Sequence, residues 1–289
     1  MTDIQGRLAG LSPEKRRLLE LRMQMQRAQT AGPALVPRPR DGRAFPLSFA
    51  QQRMWVLDRL DPGSAAYNMP SPLLLRGPLD VPALARALDA LRERHESLRT
   101  TFALADAEGE PVQVIHPFVP APLAMEDLSA LPKDEREAET QRQVHADANT
   151  GFDLVRGPLF RARLLRRAEE EHVLLLCLHH SVSDGWSLGI LARELGALYA
   201  AFSAGEPSPL APLAVQYADF AVWQREHLAG ENLARHLAFW RSALAGAPPA
   251  LELPTDHPRP PVESHRGVLF RQRIGAELTA RLRALAQAE

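Results

Sequence analysis

The nine residues His172–His180, HVLLLCLHH, restrict the fold of this chain more than any other segment. Strands with one exposed face alternate apolar and polar residues, but this run is apolar at successive positions. It therefore predicts a central strand that is covered on both faces. The preceding segment Leu159–Arg167, LFRARLLRR, alternates apolar residues with arginines for most of its length, which predicts a half-exposed neighbouring strand.

Helical and strand patterns alternate along the rest of the chain. Helices are expected over Leu11–Gln29, after Asp80, over residues 133–148, from Leu188 to Phe202, and near residues 214–228 and 231–244. Further strands are expected over Leu98–Leu104, Val112–His116 and Gly267–Ile274, the last followed by the start of a helix. This alternation predicts a mixed α/β sandwich.

Charge and cysteine content exclude several function classes. The 34 Lys and Arg residues balance 35 Asp and Glu residues, so the chain has no electrostatic footprint for nucleic acid or for an anionic membrane. Cys177 is the single cysteine, which rules out an intramolecular disulfide and a cysteine-based zinc cluster. The longest aliphatic run, Val173–Leu178, is far shorter than the ~20 residues that span a bilayer. With its polar N-terminus, the chain is expected to be cytoplasmic.

The segment Leu178–Ser187, LHHSVSDGWS, is where chemistry is expected. A buried strand ends there in a turn and a helix N-terminus, which is where α/β folds place reacting groups. Neighbouring strand residues point to opposite faces, so only one of His179 and His180 can face a given cleft. A neutral imidazole is the usual general base near pH 7. Asp184 can orient a histidine, pair with an arginine or cap the helix that begins near Gly185.

A structural role for both histidines and a zinc site of two histidines and one aspartate are the open alternatives. The first would make one histidine part of the core and the other part of the turn. The zinc alternative is weak, because this spacing lacks the i, i+4 histidine pair of helical zinc sites. No metal is therefore expected.

Four motifs, in the same order along the chain, resemble those of the condensation domains of non-ribosomal peptide synthetases. These domains belong to the chloramphenicol acetyltransferase-like superfamily. The histidine segment matches their HHxxxDG signature. The other three are SFAQQRMW at Ser48–Trp55 (SxAQxRxW), RHESLRTTF at Arg94–Phe102 (RHExLRTxF) and YADFAVW at Tyr217–Trp223 (YxDFAVW), followed by LPTD at Leu253–Asp256.

The resemblance implies a chloramphenicol acetyltransferase-like lobe and the formation of a peptide bond between two carrier-bound thioesters. It assigns His180 to a tunnel through the domain, either as general base or as the group that positions the amine. The amide of Gly185 is the implied oxyanion donor. No cofactor is expected to be bound, since partner carrier proteins and neighbouring synthetase modules deliver the phosphopantetheine arms.

The same resemblance implies supporting roles for the other motif residues. Asp184 is expected in a buried ion pair with Arg99, while His179 and Arg94 hold the site together. Trp186 and Ser187 open the following helix, and Trp186 is expected to line the tunnel. The remaining motif residues expected to support the site or the tunnel are Ser48, Gln51, Arg53, Trp55, Tyr217, Asp219 and Trp223.

Other members of the superfamily are the nearest alternatives. Epimerisation domains share HHxxxDG, but their motif continues differently after Asp-Gly. Wax-ester synthase-like acyltransferases carry the histidine motif without the other three. The segment Ala66–Asp80, AYNMPSPLLLRGPLD, is similar to that of condensation domains that accept an L-configured donor.

Proline clusters suggest how the chain is divided. Ten of the 25 prolines lie in two short segments, residues 30–46 and 248–261. By the resemblance, the expected parts are a helical lead-in (1–30), a linker (31–46), the N-terminal lobe (47–247), a Pro-rich connection (248–266) and the start of a second lobe (267–289). A tunnel with one complete wall would be inactive. The alternative function is therefore a non-catalytic module that binds a carrier protein.

Overall fold

The computed structural model describes residue 17, residues 34–105 and 109–258, residues 261 and 270, and residues 272–288. The chain divides into two compact units, residues 1–245 and 246–289. The helix predicted over Leu11–Gln29 lies outside the described residues except for Arg17. Half of the strand predicted over Gly267–Ile274 lies outside them too, and its described residues 270 and 272–274 are not in a strand.

The secondary structure follows the alternating pattern that the sequence predicts. The described elements, in chain order, are β1 (Phe45–Pro46), α1 (Phe49–Leu60), β2 (Asn68–Arg76), α2 (Val81–Arg94), a 3-10 helix (Glu96–Arg99), β3 (Thr100–Leu104), β4 (Pro111–Ile115), β5 (Ala124–Asp127), α3 (Lys133–Asn149), β6 (Phe160–Ala168), β7 (Glu171–His179), α4 (Gly185–Ser203), α5 (Tyr217–His227), α6 (Gly230–Ala243) and α7 (Ala276–Ala288).

The larger sheet has four strands in the order β2-β7-β6-β5. β7 pairs antiparallel with both β2 and β6, and β5 runs parallel to β6. The prediction of a central strand at this segment is confirmed. β2 was not predicted, because Pro70 and Pro72 interrupt its pattern. An edge strand accommodates both prolines, since residues two apart direct their backbone nitrogens to the same side.

Helices cover both faces of this sheet, which explains why β7 is apolar throughout. On one face, Leu174, Leu176 and Leu178 pack in a core cluster with leucines of α2 and α4. On the other, Val173 and Leu175 pack in a second cluster with Val144 of α3. The mixed α/β class is therefore confirmed. None of the described helices is both long enough and apolar enough to cross a membrane.

A smaller sheet, in the order β1-β4-β3, lies beside a 3-10 helix that the sequence pattern missed. The strand predicted from Leu98 starts only at Thr100, because Leu98 and Arg99 belong to the 3-10 helix. The side chain of Thr100 donates to the carbonyl of Glu96 at 2.7 Å, which stabilises this turn.

Residues 34–46, inside the predicted linker, are held against α5 by charged contacts. Asp219, almost fully buried, accepts from the Arg40 guanidinium at 2.8 and 3.1 Å and from the backbone N–H of Arg38 at 2.8 Å. Arg40 also contacts Glu96 at 2.9 Å. Burial alone would raise the pKa of Asp219, but the hydrogen bonds, above all those from Arg40, lower it below the ordinary value.

Candidate active site

The histidine segment lies where β7 ends and turns into α4. The N–H of His179 donates to the carbonyl of Leu159 at 3.0 Å, on the β6 side. The N–H of His180 donates to the carbonyl of Tyr67 at 2.9 Å, on the β2 side. The two backbone amides therefore alternate as in a strand, and the side chains follow: His179 is buried and His180 is exposed.

His179 is enclosed by aromatic side chains and is held as a neutral ring. The edges of Phe152 and Tyr67 lie against it, with ring centroids 6.0 and 6.5 Å away. The N–H of Ser181 donates to its Nδ1 at 3.1 Å, so the proton of the ring is on Nε2. Burial lowers the pKa of His179 to about 4, and the neighbouring His180 adds to the effect. These features suit a supporting residue.

His180 has the opposite tautomer. Its Nδ1 lies 3.0 Å from the backbone carbonyl of Ser183, and a carbonyl oxygen can only accept. Nδ1 therefore carries a hydrogen, and in the neutral ring Nε2 has a lone pair that can accept a proton or a hydrogen bond. The side chain is exposed, so this lone pair is accessible to a ligand.

Asp184 caps α4, and the predicted ion pair with Arg99 is wrong for this structure. The carboxylate accepts from the amide of Ser187 at 2.8 Å and from its hydroxyl at 2.6 Å. These two bonds lower the pKa of Asp184. Arg99 instead donates to the carbonyl of His116 at 2.5 Å and lies 3.9 Å from Glu96. Asp184 is exposed and directly precedes α4. The amides of the first helical turn are therefore nearer donors than Arg99.

The N-terminus of α4 is open on its outer side. Gly185 is the exposed first residue of the helix, and a Cβ built on it would meet no atom within 4 Å. The first N–H groups of a helix have no partner within the helix. Asp184 accepts from the amide of Ser187, so the amide of Gly185 is the candidate donor to an anionic group. Trp186 is 83% exposed in the structure.

Arg94 and His95 hold α4 through Glu194, a residue that the sequence pattern did not single out. The Nε of Arg94 and the Nε2 of His95 lie 3.1 and 2.6 Å from the same carboxylate oxygen of Glu194, and all three side chains are largely buried. The sequence could have indicated Glu194, because its carboxylate lies between Leu191 and Leu195, two core residues of the same helix. A carboxylate next to buried residues needs a partner.

The SFAQQRMW motif forms the start of α1 and contacts the YADFAVW motif. Ser48 and Gln51 form a reciprocal capping box at the start of this helix. The hydroxyls of Ser48 and Tyr217 are 3.0 Å apart, which joins α1 to α5. The other residues predicted from these motifs are placed as follows: Trp55 is buried in the core, Arg53 is exposed, Asp219 binds Arg40, and Trp223 stacks on His227 at 4.8 Å.

No three His, Cys, Asp or Glu side chains are grouped for metal binding within the part of the chain that the structure describes. The polar groups that the structure does describe at this turn are the imidazole of His180, the N-terminus of α4 and the hydroxyls of Ser181, Ser183 and Ser187.

Comparisons with known proteins agree with this geometry. The family model of the condensation domain matches residues 42–289. Chondramide synthase cmdD of Chondromyces crocatus is 52% identical over 254 residues, or 88% of this chain and 6% of that protein. Phosphinothricin tripeptide synthetase PhsC of Streptomyces viridochromogenes is 46% identical over 286 residues, or 99% of this chain and 26% of that protein.

Solved structures share the same fold. The X-domain from teicoplanin biosynthesis is 35% identical with a TM-score of 0.70, covering 81% of this chain and 50% of that one. The first condensation domain of the CDA synthetase is 27% identical with a TM-score of 0.64, covering 74% and 53%. The chain thus spans about half of these domains and a small part of the synthetases it matches.

Proposed function

The chain belongs to the condensation-domain family of non-ribosomal peptide synthetases, and from this premise we propose that it joins two carrier-bound substrates through a new peptide bond. The α-amine of one aminoacyl thioester attacks the carbonyl carbon of an aminoacyl or peptidyl thioester. A C–N bond forms and the C–S bond breaks. The amine loses one proton, and the thiol of the donor phosphopantetheine arm leaves with one. Carrier proteins and neighbouring synthetase modules supply both arms.

The tautomer of His180 is the observation that carries this proposal. With Nδ1–H donated to Ser183, the lone pair on Nε2 can accept an N–H of the attacking amine. The same contact serves a general base or a group that aligns the amine. Alignment alone can lower a barrier by ~7–11 kcal/mol when both reactants are held in place.

The N-terminus of α4 is proposed as the site that stabilises the tetrahedral intermediate. Charge develops on the carbonyl oxygen during attack, and a helix N-terminus combines N–H donors with a positive dipole end. The exposed Gly185 has no side chain to obstruct the approach of this oxygen.

The test is an assay with two loaded carrier proteins. The full chain is incubated with a donor and an acceptor aminoacyl carrier protein, and the dipeptidyl carrier is quantified by mass spectrometry. H180A is expected to lose at least ~100-fold in rate, the lower range for a general acid–base group. H145A, which changes an exposed histidine on α3, is the matched control and should keep the wild-type rate. An unchanged rate in H180A would refute the assignment.

A second candidate function is binding without turnover. It is favoured by the X-domain from teicoplanin biosynthesis, a relative by structure that was solved in complex with OxyB. Under this alternative, the chain binds a carrier protein or another protein of the assembly. The same assay discriminates the two functions, because dipeptide formation rejects binding alone, whereas carrier binding without dipeptide supports it.

A further inference from the structure

A small cavity lies behind the histidine turn, between that turn, the start of α4 and the 3-10 helix. Its volume is about 90 Å³, which leaves room for more than one water molecule. Its lining combines aliphatic side chains with four polar residues: His95, Ser97, Ser183 and Ser187. An apolar cavity of this size would stay dry, whereas polar groups on opposite walls can hold ordered water.

Ser183 supplies the most specific sign of a ligand in this cavity. The residue is only 8% exposed, and its Oγ has no hydrogen-bond partner among the described residues. A buried hydroxyl without a partner lowers stability, and nearly all such groups in folded proteins are bonded to protein or to water.

The backbone of the same residue holds the candidate catalytic histidine. The carbonyl of Ser183 accepts from Nδ1 of His180, so a displacement of Ser183 changes the orientation of the imidazole. His95, which also lines the cavity, is fixed by its 2.6 Å contact with Glu194. The cavity is therefore lined both by an anchored acid–imidazole pair and by the residue that orients His180.

We propose that this cavity binds ordered water that connects the Ser183 hydroxyl to the wall formed by His95 and Ser97, and that Ser183 is a positioning residue for His180. The bound water fixes the turn, and the turn fixes the Nδ1–H tautomer. The water site is independent of the reaction, whereas its effect on rate rests on the function proposed above.

The kinetic test compares S183A and S183T with the wild-type chain in the carrier-protein assay. S183A is expected to lower kcat about tenfold and to leave KM within twofold, because the substrate contacts are retained. S183T keeps an Oγ and should recover most of the rate. S203A is the matched control, since Ser203 is exposed at the far end of α4 and donates only to carbonyls of its own helix. An unchanged kcat in S183A would reject the positioning role.

A second test does not depend on activity. Nitrogen-15 NMR shows which imidazole nitrogen carries the proton, and H180N identifies the His180 signals. We expect the Nδ1–H form in the wild-type chain, its partial loss in S183A, and its return in S183T. The melting temperature of S183A should fall. A rise would show that the hydroxyl is unbonded, and an unchanged tautomer would show that Ser183 does not orient the ring. Either result overturns the proposal.

If S183A does not fold, a crystal structure of the wild-type chain that places buried waters decides the matter. A water within hydrogen-bond distance of Ser183 Oγ is expected, and a dry cavity would refute the site. If the wild-type chain forms no dipeptide, the proposed function fails, but the NMR and crystallographic results still test the water site.

Discussion

Protonation of His179 should destabilise the fold as the pH falls from about 6.5 to 4. Burial holds its pKa near 4 in the folded chain, while a histidine in the unfolded chain titrates near 6.5. Between these values the unfolded chain binds more protons than the folded one, so the free energy of unfolding falls as the pH falls. A shift of about 2.5 units at 1.36 kcal/mol per unit corresponds to about 3 kcal/mol.

The measurement is urea unfolding of the wild-type chain and H179N at pH 4, 5, 6 and 7. Asparagine can accept from the Ser181 amide through Oδ1, as Nδ1 does, but it does not titrate. The wild-type chain should lose about 3 kcal/mol more stability than H179N over this range. Burial also lowers the pKa of His172, but this residue is present in both proteins, so the difference isolates His179.

H145N is the control for replacing a histidine by asparagine, because His145 is exposed on α3. Its pH dependence should match that of the wild-type chain. If H179N and the wild-type chain lost stability in parallel, the buried imidazole would not be the source of the effect, and the neutral supporting role of His179 would be wrong.

Three further predictions concern stability, each measured by chemical denaturation. G151A should cost about 1–3 kcal/mol, because its Cβ would lie 1.8 Å from the backbone oxygen of Gly63. D184A should cost about 1 kcal/mol through loss of the helix cap. R40A should cost about 3–5 kcal/mol, since it removes the guanidinium that neutralises the buried carboxylate of Asp219.

Each of these changes has a matched variant for which a different stability is expected. G196A adds a methyl group to an exposed helical position without close neighbours and should stabilise by about 0.5–1 kcal/mol. D184N keeps a capping acceptor and should retain the wild-type stability. R40K keeps the charge but loses the two-point contact, so its stability should lie between those of R40A and the wild type. Equal losses in each pair would contradict the stated causes.

Patterns along single elements predicted much of the fold. β7 was recognisable because burial on both faces leaves a continuous apolar run, and its sheet position follows from that property alone. β2 was not recognisable, because Pro70 and Pro72 are compatible with a strand only at a sheet edge. Edge position depends on the partner strands, which no local pattern reveals.

The candidate site shows the same division between local and tertiary information. Strand alternation predicts that His179 and His180 face opposite ways, and the structure confirms it. The partner of Asp184 was not predictable, because a helix cap and an arginine pair need the same residue type. Glu194 was missed for a related reason: its two partners, Arg94 and His95, are about 100 residues away in sequence and meet it only after α2 packs on α4.

The adjacent histidines adopt opposite tautomers because the turn offers them opposite backbone groups. His179 receives an N–H at Nδ1, from Ser181, which leaves the proton on Nε2 within the core. His180 meets a carbonyl at Nδ1, from Ser183, which leaves the lone pair on the exposed Nε2. If Nδ1 of His180 met an N–H group instead of a carbonyl, the neutral ring would carry its hydrogen on Nε2 and could not accept one from an amine. The backbone groups of the turn therefore determine which nitrogen of His180 has the lone pair, and the residues that hold the turn belong to its chemistry.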